Sequence, residues 1–204
     1  DGLDEVSEQL VRNQLRSEVG QPYESRTVSN DIVRLTHLGR FDKITARVEP
    51  WPDGSYFVAS FTGNEVHRFN LNGALQQSLQ GGVLGFSQPF DVLRYDNTTI
   101  YVSEFGADRI AYGRPDGGGL KRLGSEGSGP GELSGPQYLA RDEAGYLYVS
   151  EMGNRRISKF SPEGEFILSF GRRSSSFIGF LAPAGLTIRD GRVFAADSRR
   201  GRIY

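Results

Sequence analysis

The sequence predicts an all-β protein assembled from repeated four-stranded antiparallel sheets, and three observations carry the prediction. One phrase recurs: YFVASFTGNEVHRF from Tyr56, IYVSEFGADRIAYG from Ile100, LYVSEMGNRRISKF from Leu147 and VFAADSRRGRIY from Val193. Its starts lie 44, 47 and 46 residues apart, the interval of arrays in which each repeat is one supersecondary unit. Each phrase opens on aromatic and β-branched residues at strand spacing, and segments dense in Gly and Pro separate one phrase from the next.

The third repeat shows the elements most clearly. Gly124–Pro136, GSEGSGPGELSGP, is a loop; Gln137–Asp142 is a short strand; Glu143-Ala144-Gly145 is a turn; and Tyr146–Ser150 is a second strand. Glu151–Arg155 turns again, Arg156–Phe160 is a third strand, Ser161–Gly164 is a tight turn and Glu165–Phe170 is a fourth strand. Four short antiparallel strands in such a period form the blade of a β-propeller. A blade cannot bury both faces alone, so it has to stack between neighbours.

Ahead of the array, residues 3–19 place Leu3, Val6, Leu10, Leu15 and Val19 near helical spacing with charges opposite, which predicts an amphipathic helix. The expected division is a helical extension over 1–22 and a propeller over 23–204. Residues 31–41 match Arg156–Phe166 in pattern and so carry the outer half of a repeat whose inner half is degenerate or absent. The last phrase stops within its third strand at Ile203-Tyr204. A partial propeller, a small ring closed by residues 31–41, and a ring completed by another chain all fit, and the partial propeller is the expectation. An open array would leave strand edges available for pairing or oligomerisation.

Composition narrows the chemistry. There is no cysteine, which excludes disulfides, thiolate metal sites and cysteine nucleophiles. No apolar run reaches the length of a membrane-spanning helix. The net charge of −1 favours neither nucleic acid nor an anionic membrane as a whole-molecule partner. Charge is nevertheless uneven: residues 151–204 hold ten Lys/Arg against five Asp/Glu, and residues 1–150 hold fourteen against twenty. The start at Asp1 rather than Met leads to the expectation of an exported, processed chain, with the compartment otherwise open.

The glycine-rich GSGPGEL of residues 127–133, Pro136, the YVSE of 148–151, the NRRI of 154–157 and the GEF return of 164–166 resemble the NHL-repeat family of β-propellers. The resemblance covers roughly residues 31–204. It is strong in the third repeat, good in the second and fourth, and weak in the first, which lacks the glycine-rich opening. It implies blades that usually close as a six-bladed ring, of which this chain covers about four. It also implies a scaffold used for binding, since such folds serve many unrelated functions.

Several constellations bear on function. Glu104 and Arg109, Glu151 and Arg156, and Asp197 and Arg202 are each five apart, flanking equivalent turns. Three equivalent copies point to structural braces across each turn, with arginine forks on carboxylates. The first repeat has Ser60 and Glu65 there, so a weaker brace is expected. The glycine-rich loop lacks a P-loop lysine and is read as a connection between blades. His37 and His67 have neither a second His nor a Cys near them in sequence, and Asp91, Asp142, Tyr138 and Arg94 are the isolated polar groups of the inner strands. No catalytic residue, metal ligand or cofactor site is identified. Asn97-Thr98-Thr99 is a glycosylation sequon in a turn.

The basic excess concentrates in loops: Arg155, Arg172, Arg173, Arg199 and Arg200. The turn after the second strand and the loop between blades emerge on one face, so these arginines share a rim with Phe105, Met152 and Phe177. The expectation is a non-catalytic scaffold presenting that rim, with another protein as its ligand. The alternative is a propeller-type lyase or hydrolase with a metal in the central channel. A third reading, implied by the resemblance, is single-stranded RNA on the arginine-rich rim.

Overall fold

A computed structural model describes residues 54–70, 72–172 and 178–204, together with the backbone of 44–46. The expected N-terminal helix, the half-repeat at 31–41, His37, Arg173 and Phe177 lie outside the described residues.

The strands fall into four antiparallel sheets in chain order. The first joins β1 (Ile44–Ala46), β2 (Tyr56–Ser60), β3 (Glu65–Phe69) and β4 (Leu75–Leu79). The second joins β5 (Pro89–Arg94), β6 (Ile100–Glu104), β7 (Arg109–Gly113) and β8 (Lys121–Leu123). The third is β9 (Pro136–Arg141), β10 (Leu147–Glu151), β11 (Arg156–Phe160) and β12 (Phe166–Phe170). The fourth is β13 (Pro183–Arg189), β14 (Arg192–Asp197) and the two-residue β15 (Arg202–Ile203). Each sheet is a meander, and the innermost strands stand side by side, with β9 between β5 and β13. This is the radial order of propeller blades.

Strand β1 was not evident in the sequence. Ile44 pairs with Ser60 and Ala46 with Val58, so the first described blade has an inner strand despite lacking the glycine-rich loop that announces one elsewhere.

The core lies between blades rather than within them. Phe57, Val66, Leu79, Phe86, Val92, Ile100 and Val102 fill the space between the first and second. Leu93, Ile110, Leu133, Leu139, Leu147, Val149 and Phe160 fill the next. Tyr148, Ile157, Phe180, Leu186 and Ala195 fill the last. Strands β6 and β10, covered on both faces, are buried at every residue. Such strands lose the in–out alternation of a half-exposed sheet, which is why IYVSE and LYVSE carry so few exposed positions. Strand β14 is partly exposed, and Phe194 is 39% exposed.

Tight turns close the outer hairpins. In Ser161–Gly164 the Gly164 N–H donates to Ser161 O at 2.9 Å. Gly164 has φ 90°, a value that a β-carbon disfavours.

The buried His67 gives the first blade a pH dependence. Its Nδ1 lies 2.8 Å from Ser78 Oγ and its Nε2 lies 3.6 Å from Glu65. Burial lowers its pKa below 6.5, against the opposing pull of Glu65. Below pH 6.5 the unfolded chain therefore binds a proton that the native state resists, and stability falls with pH. The expected result is a decline in melting temperature between about pH 7 and about pH 5 that His67→Gln flattens. An unchanged slope in that variant would assign the decline to other groups.

Candidate functional site: the turn-and-loop rim

Four turns define one end of the blades: 61–64, 105–108, 152–155 and 198–201. Backbone hydrogen bonds tie them to the loops that enter the same blades. Phe105 N donates to Gln88 O at 3.1 Å, Met152 N to Gly135 O at 3.0 Å and Ser198 N to Ala182 O at 3.0 Å. Turns and inter-blade loops thus emerge on the same rim.

A buried acid anchors each junction from the second blade on. In the second, Glu104 is fully buried. Arg109 grips it with Nε at 3.0 Å and Nη2 at 3.2 Å, and Ser87 N donates to it at 3.1 Å. Arg122 on β8 adds a contact that the sequence did not signal, with Nε 2.8 Å from Glu104 Oε2. This contact is an ion pair by distance, without hydrogen-bond alignment. In the third blade, Glu151 accepts from Arg156 Nε at 2.7 Å, Asn154 Nδ2 at 2.6 Å, Ser134 N at 3.0 Å and the Ser158 hydroxyl.

Arg156 also organises the glycine-rich loop. Its Nη1 donates to Ser128 O at 2.8 Å, and its Nη2 donates to Glu132 O at 2.7 Å and to Gly129 O at 3.2 Å. Asn154 donates to Gly127 O at 2.8 Å. The loop presents carbonyls to these side chains and inserts Leu133, fully buried, between the second and third blades. Glu132 folds back to accept from Gly129 N at 2.7 Å. This is the chemistry of a braced connection.

The fourth blade departs from the expected pairing. Arg202 lies opposite Asp197 in register but is exposed. Asp197 instead accepts from Leu181 N at 2.8 Å, Ala182 N at 3.2 Å and Arg200 N at 3.2 Å, with Arg200 Nε at 3.4 Å. Burial alone would raise the Asp197 pKa, but the backbone donors of Leu181, Ala182 and Arg200 bring the balance below 3.8. Arg200, expected on the binding rim, is thus turned inward, and Arg202 is the residue facing solvent. The backbone pairing continues to Tyr204, which exchanges hydrogen bonds with Ala195, while Arg200 reaches the acid from within the turn.

A second device joins successive blades. Asn64 and Asp108 occupy the last position of their turns with φ 55° and 50°, a left-handed conformation that Asn and Asp tolerate best among non-glycine residues. Asn64 Oδ1 accepts from Gln88 N at 2.7 Å, and Asp108 Oδ1 accepts from Gly135 N at 2.6 Å. Each latches the loop of the following blade. Arg155 holds the same position with φ 52° and is exposed.

The remaining expected rim residues divide. Met152 is 37% exposed, and Gln137 Nε2 lies 3.5 Å from its sulfur. Arg172 and Arg199 are exposed. Phe105 is only half free: its ring packs against Phe61 at 5.7 Å and Phe90 at 6.2 Å, and Phe90 meets Tyr138 edge-on at 5.1 Å. The inner-strand polar groups are taken up in structural hydrogen bonds. Buried Asp91 accepts from Leu139 N at 2.9 Å, linking the second blade to the third. Burial raises the Tyr138 pKa, and Asp91 adds to the effect. Asp142 accepts from Tyr146 N at 2.9 Å and from the Tyr148 hydroxyl at 3.1 Å. Arg94 donates to Asn97 at 2.8 Å. Among the described residues, no group of three or more His, Asp or Glu side chains is placed to hold a metal ion.

No family model matches the chain. Over 125 residues it is 31% identical to the human NHL repeat-containing protein 3, a match that covers 53% of this chain and 35% of that protein. The chain thus spans about a third of this curated relative. Solved structures share the fold. A catalytically inactive virginiamycin B lyase from Staphylococcus aureus, solved with quinupristin, superposes with a TM-score of 0.60 at 18% identity, covering 81% of this chain and 55% of that one. A chain of a nidogen–laminin complex superposes at 0.57 and 18%, covering 73% and 53%. Strand order and repeat spacing show a β-propeller, and these similarities support one of the NHL type.

Proposed function

We propose that this chain is part of a non-catalytic binding scaffold that presents the turn-and-loop rim to another protein. One observation carries the reading. The rim is a fixed frame, in which buried Glu104, Glu151 and Asp197 each hold a turn and a loop together, and a set of side chains unlike from blade to blade stands on it. Rigid frames with varied loop residues are how repeat scaffolds recognise partners. A chain of like fold found in a complex of two proteins, nidogen and laminin, supports the same direction. The lyase of like fold is a counterpart in architecture alone. In this chain the inner-strand carboxylates Asp91 and Asp142 are engaged in holding strands and turns.

The test is recovery of partners from an extract of the source cells. Met152→Glu with Arg155→Glu is expected to abolish recovery, while Thr98→Glu, in an exposed turn away from this rim, keeps it. Equal recovery by all three proteins would overturn the assignment to this face.

A further inference from the structure

The arginines of the rim form two sets. Arg109, Arg122, Arg156 and Arg200 sit on the buried acids at 3.0, 2.8, 2.7 and 3.4 Å. Arg155, Arg172 and Arg199 are exposed and form no ion pair within the described residues. Arg172 alone of these has a polar contact, a long one of 3.4 Å from Nη2 to Ser128 O. All three belong to the third and fourth blades. At the equivalent turn position, the first and second blades carry Asn64 and Asp108, which suit the left-handed backbone and latch the next loop. The third blade gives up both advantages for an outward-facing cation at Arg155. A stretch of surface where stabilising chemistry is traded for uncompensated charge is where a ligand of opposite sign is expected.

We propose that this edge docks an acidic polypeptide segment, with carboxylates on Arg155, Arg172 and Arg199 and an apolar side chain against Met152. The inference rests on the protein-binding reading above and specifies its partner. Guanidinium groups suit carboxylates because their forks can donate two parallel hydrogen bonds. The apolar groups exposed in the same two blades include Met152 at 37% and Ile178 at 55%, with one aromatic, Phe170 at 37%, two residues before Arg172. Single-stranded nucleic acid calls for open aromatic platforms, and the nearby Phe105 ring is already packed on Phe61 and Phe90.

The test is fluorescence anisotropy of the intact chain with a labelled peptide of about twelve residues, glutamates interrupted by two leucines, at about 20 and about 150 mM salt. Binding is expected at low salt and should weaken as salt rises. Arg155→Asn combined with Arg199→Ser should reduce affinity by about fivefold or more. Arg155→Asn alone should raise the melting temperature, because Asn fits the backbone that Arg155 strains. Arg141→Ser, at the far end of β9, should leave affinity unchanged. Absence of binding at low salt, equal affinity of the rim variant, or tighter binding of a labelled deca-uridylate than of the peptide would each overturn the proposal. Peptide failure with continued loss of partner recovery in the Met152→Glu, Arg155→Glu protein would remove the acidic chemistry and leave the protein-binding face standing.

Discussion

Glu151→Ala is expected to cost about 3–5 kcal/mol of folding stability, the range for removing one partner of a buried ion pair. Glu151 is fully buried and the Arg156 side chain is 3% exposed. Removing the carboxylate strands a guanidinium with no counter-charge and leaves Ser134 N, Asn154 and Ser158 without their acceptor. Arg156 also anchors three carbonyls of the glycine-rich loop, so the loss should spread to the seating of Leu133. Glu151→Gln keeps the shape and part of the hydrogen bonding and should fall between the variant and the unmutated protein. The first blade provides the contrast. Glu65 faces His67 and Gln80 with its side chain 31% exposed, so Glu65→Ala should cost less than about 1 kcal/mol. Urea denaturation of the three variants measures the ordering. A Glu151→Ala loss no larger than that of Glu65→Ala would refute the brace.

The brace was legible because its geometry is local. In an antiparallel hairpin with a four-residue turn, the residue before the turn faces the residue five positions later, and Glu104–Arg109 and Glu151–Arg156 pair in that register. The same rule misjudged the fourth blade, where Arg202 lies opposite Asp197 and yet leaves the acid to Arg200. Register predicts which backbones meet, while the side chain's choice depends on which other donors reach the acid, here Leu181 N, Ala182 N and Arg200. Nor did spacing reveal the contact of Arg122 with Glu104 or the latches from Asn64 to Gln88 and from Asp108 to Gly135. These partners sit on another strand or another blade, and their distance in sequence is set by loop length rather than by period. A faint signal was present in the turn endings Asn64, Asp108 and Gly201, residue types that share tolerance for the left-handed backbone. Against that column Arg155 stands out. Strand β1 escaped notice for a related reason: three residues without a preceding glycine-rich loop carry no periodicity, and their place is set by pairing with β2.

Phe160→Ala is expected to cost about 3–5 kcal/mol, the toll of emptying a large aromatic site in a packed core. Phe160 is 1% exposed and meets Phe166 edge-on at 6.0 Å. It belongs to the cluster shared by the second and third blades, with Leu93, Ile110, Leu133, Leu139 and Leu147. In a stacked array stability is approximately a sum of blade terms and nearest-neighbour interface terms, so where the cavity opens matters as much as its size. A cavity at this interface weakens the contact that couples the two central blades, and the amides of β6 and β10 should lose hydrogen-exchange protection first. Phe194→Ala removes a ring of the same size from a site 39% exposed, and its cost should stay below about 1 kcal/mol. It should leave β6 and β10 protected. If Phe160→Ala does not fold, Phe160→Leu keeps most of the volume and should show the same regional pattern at smaller amplitude. Uniform loss of protection across all four sheets would mean that the array opens as one unit, and the interface between the second and third blades would then hold no special place in its stability.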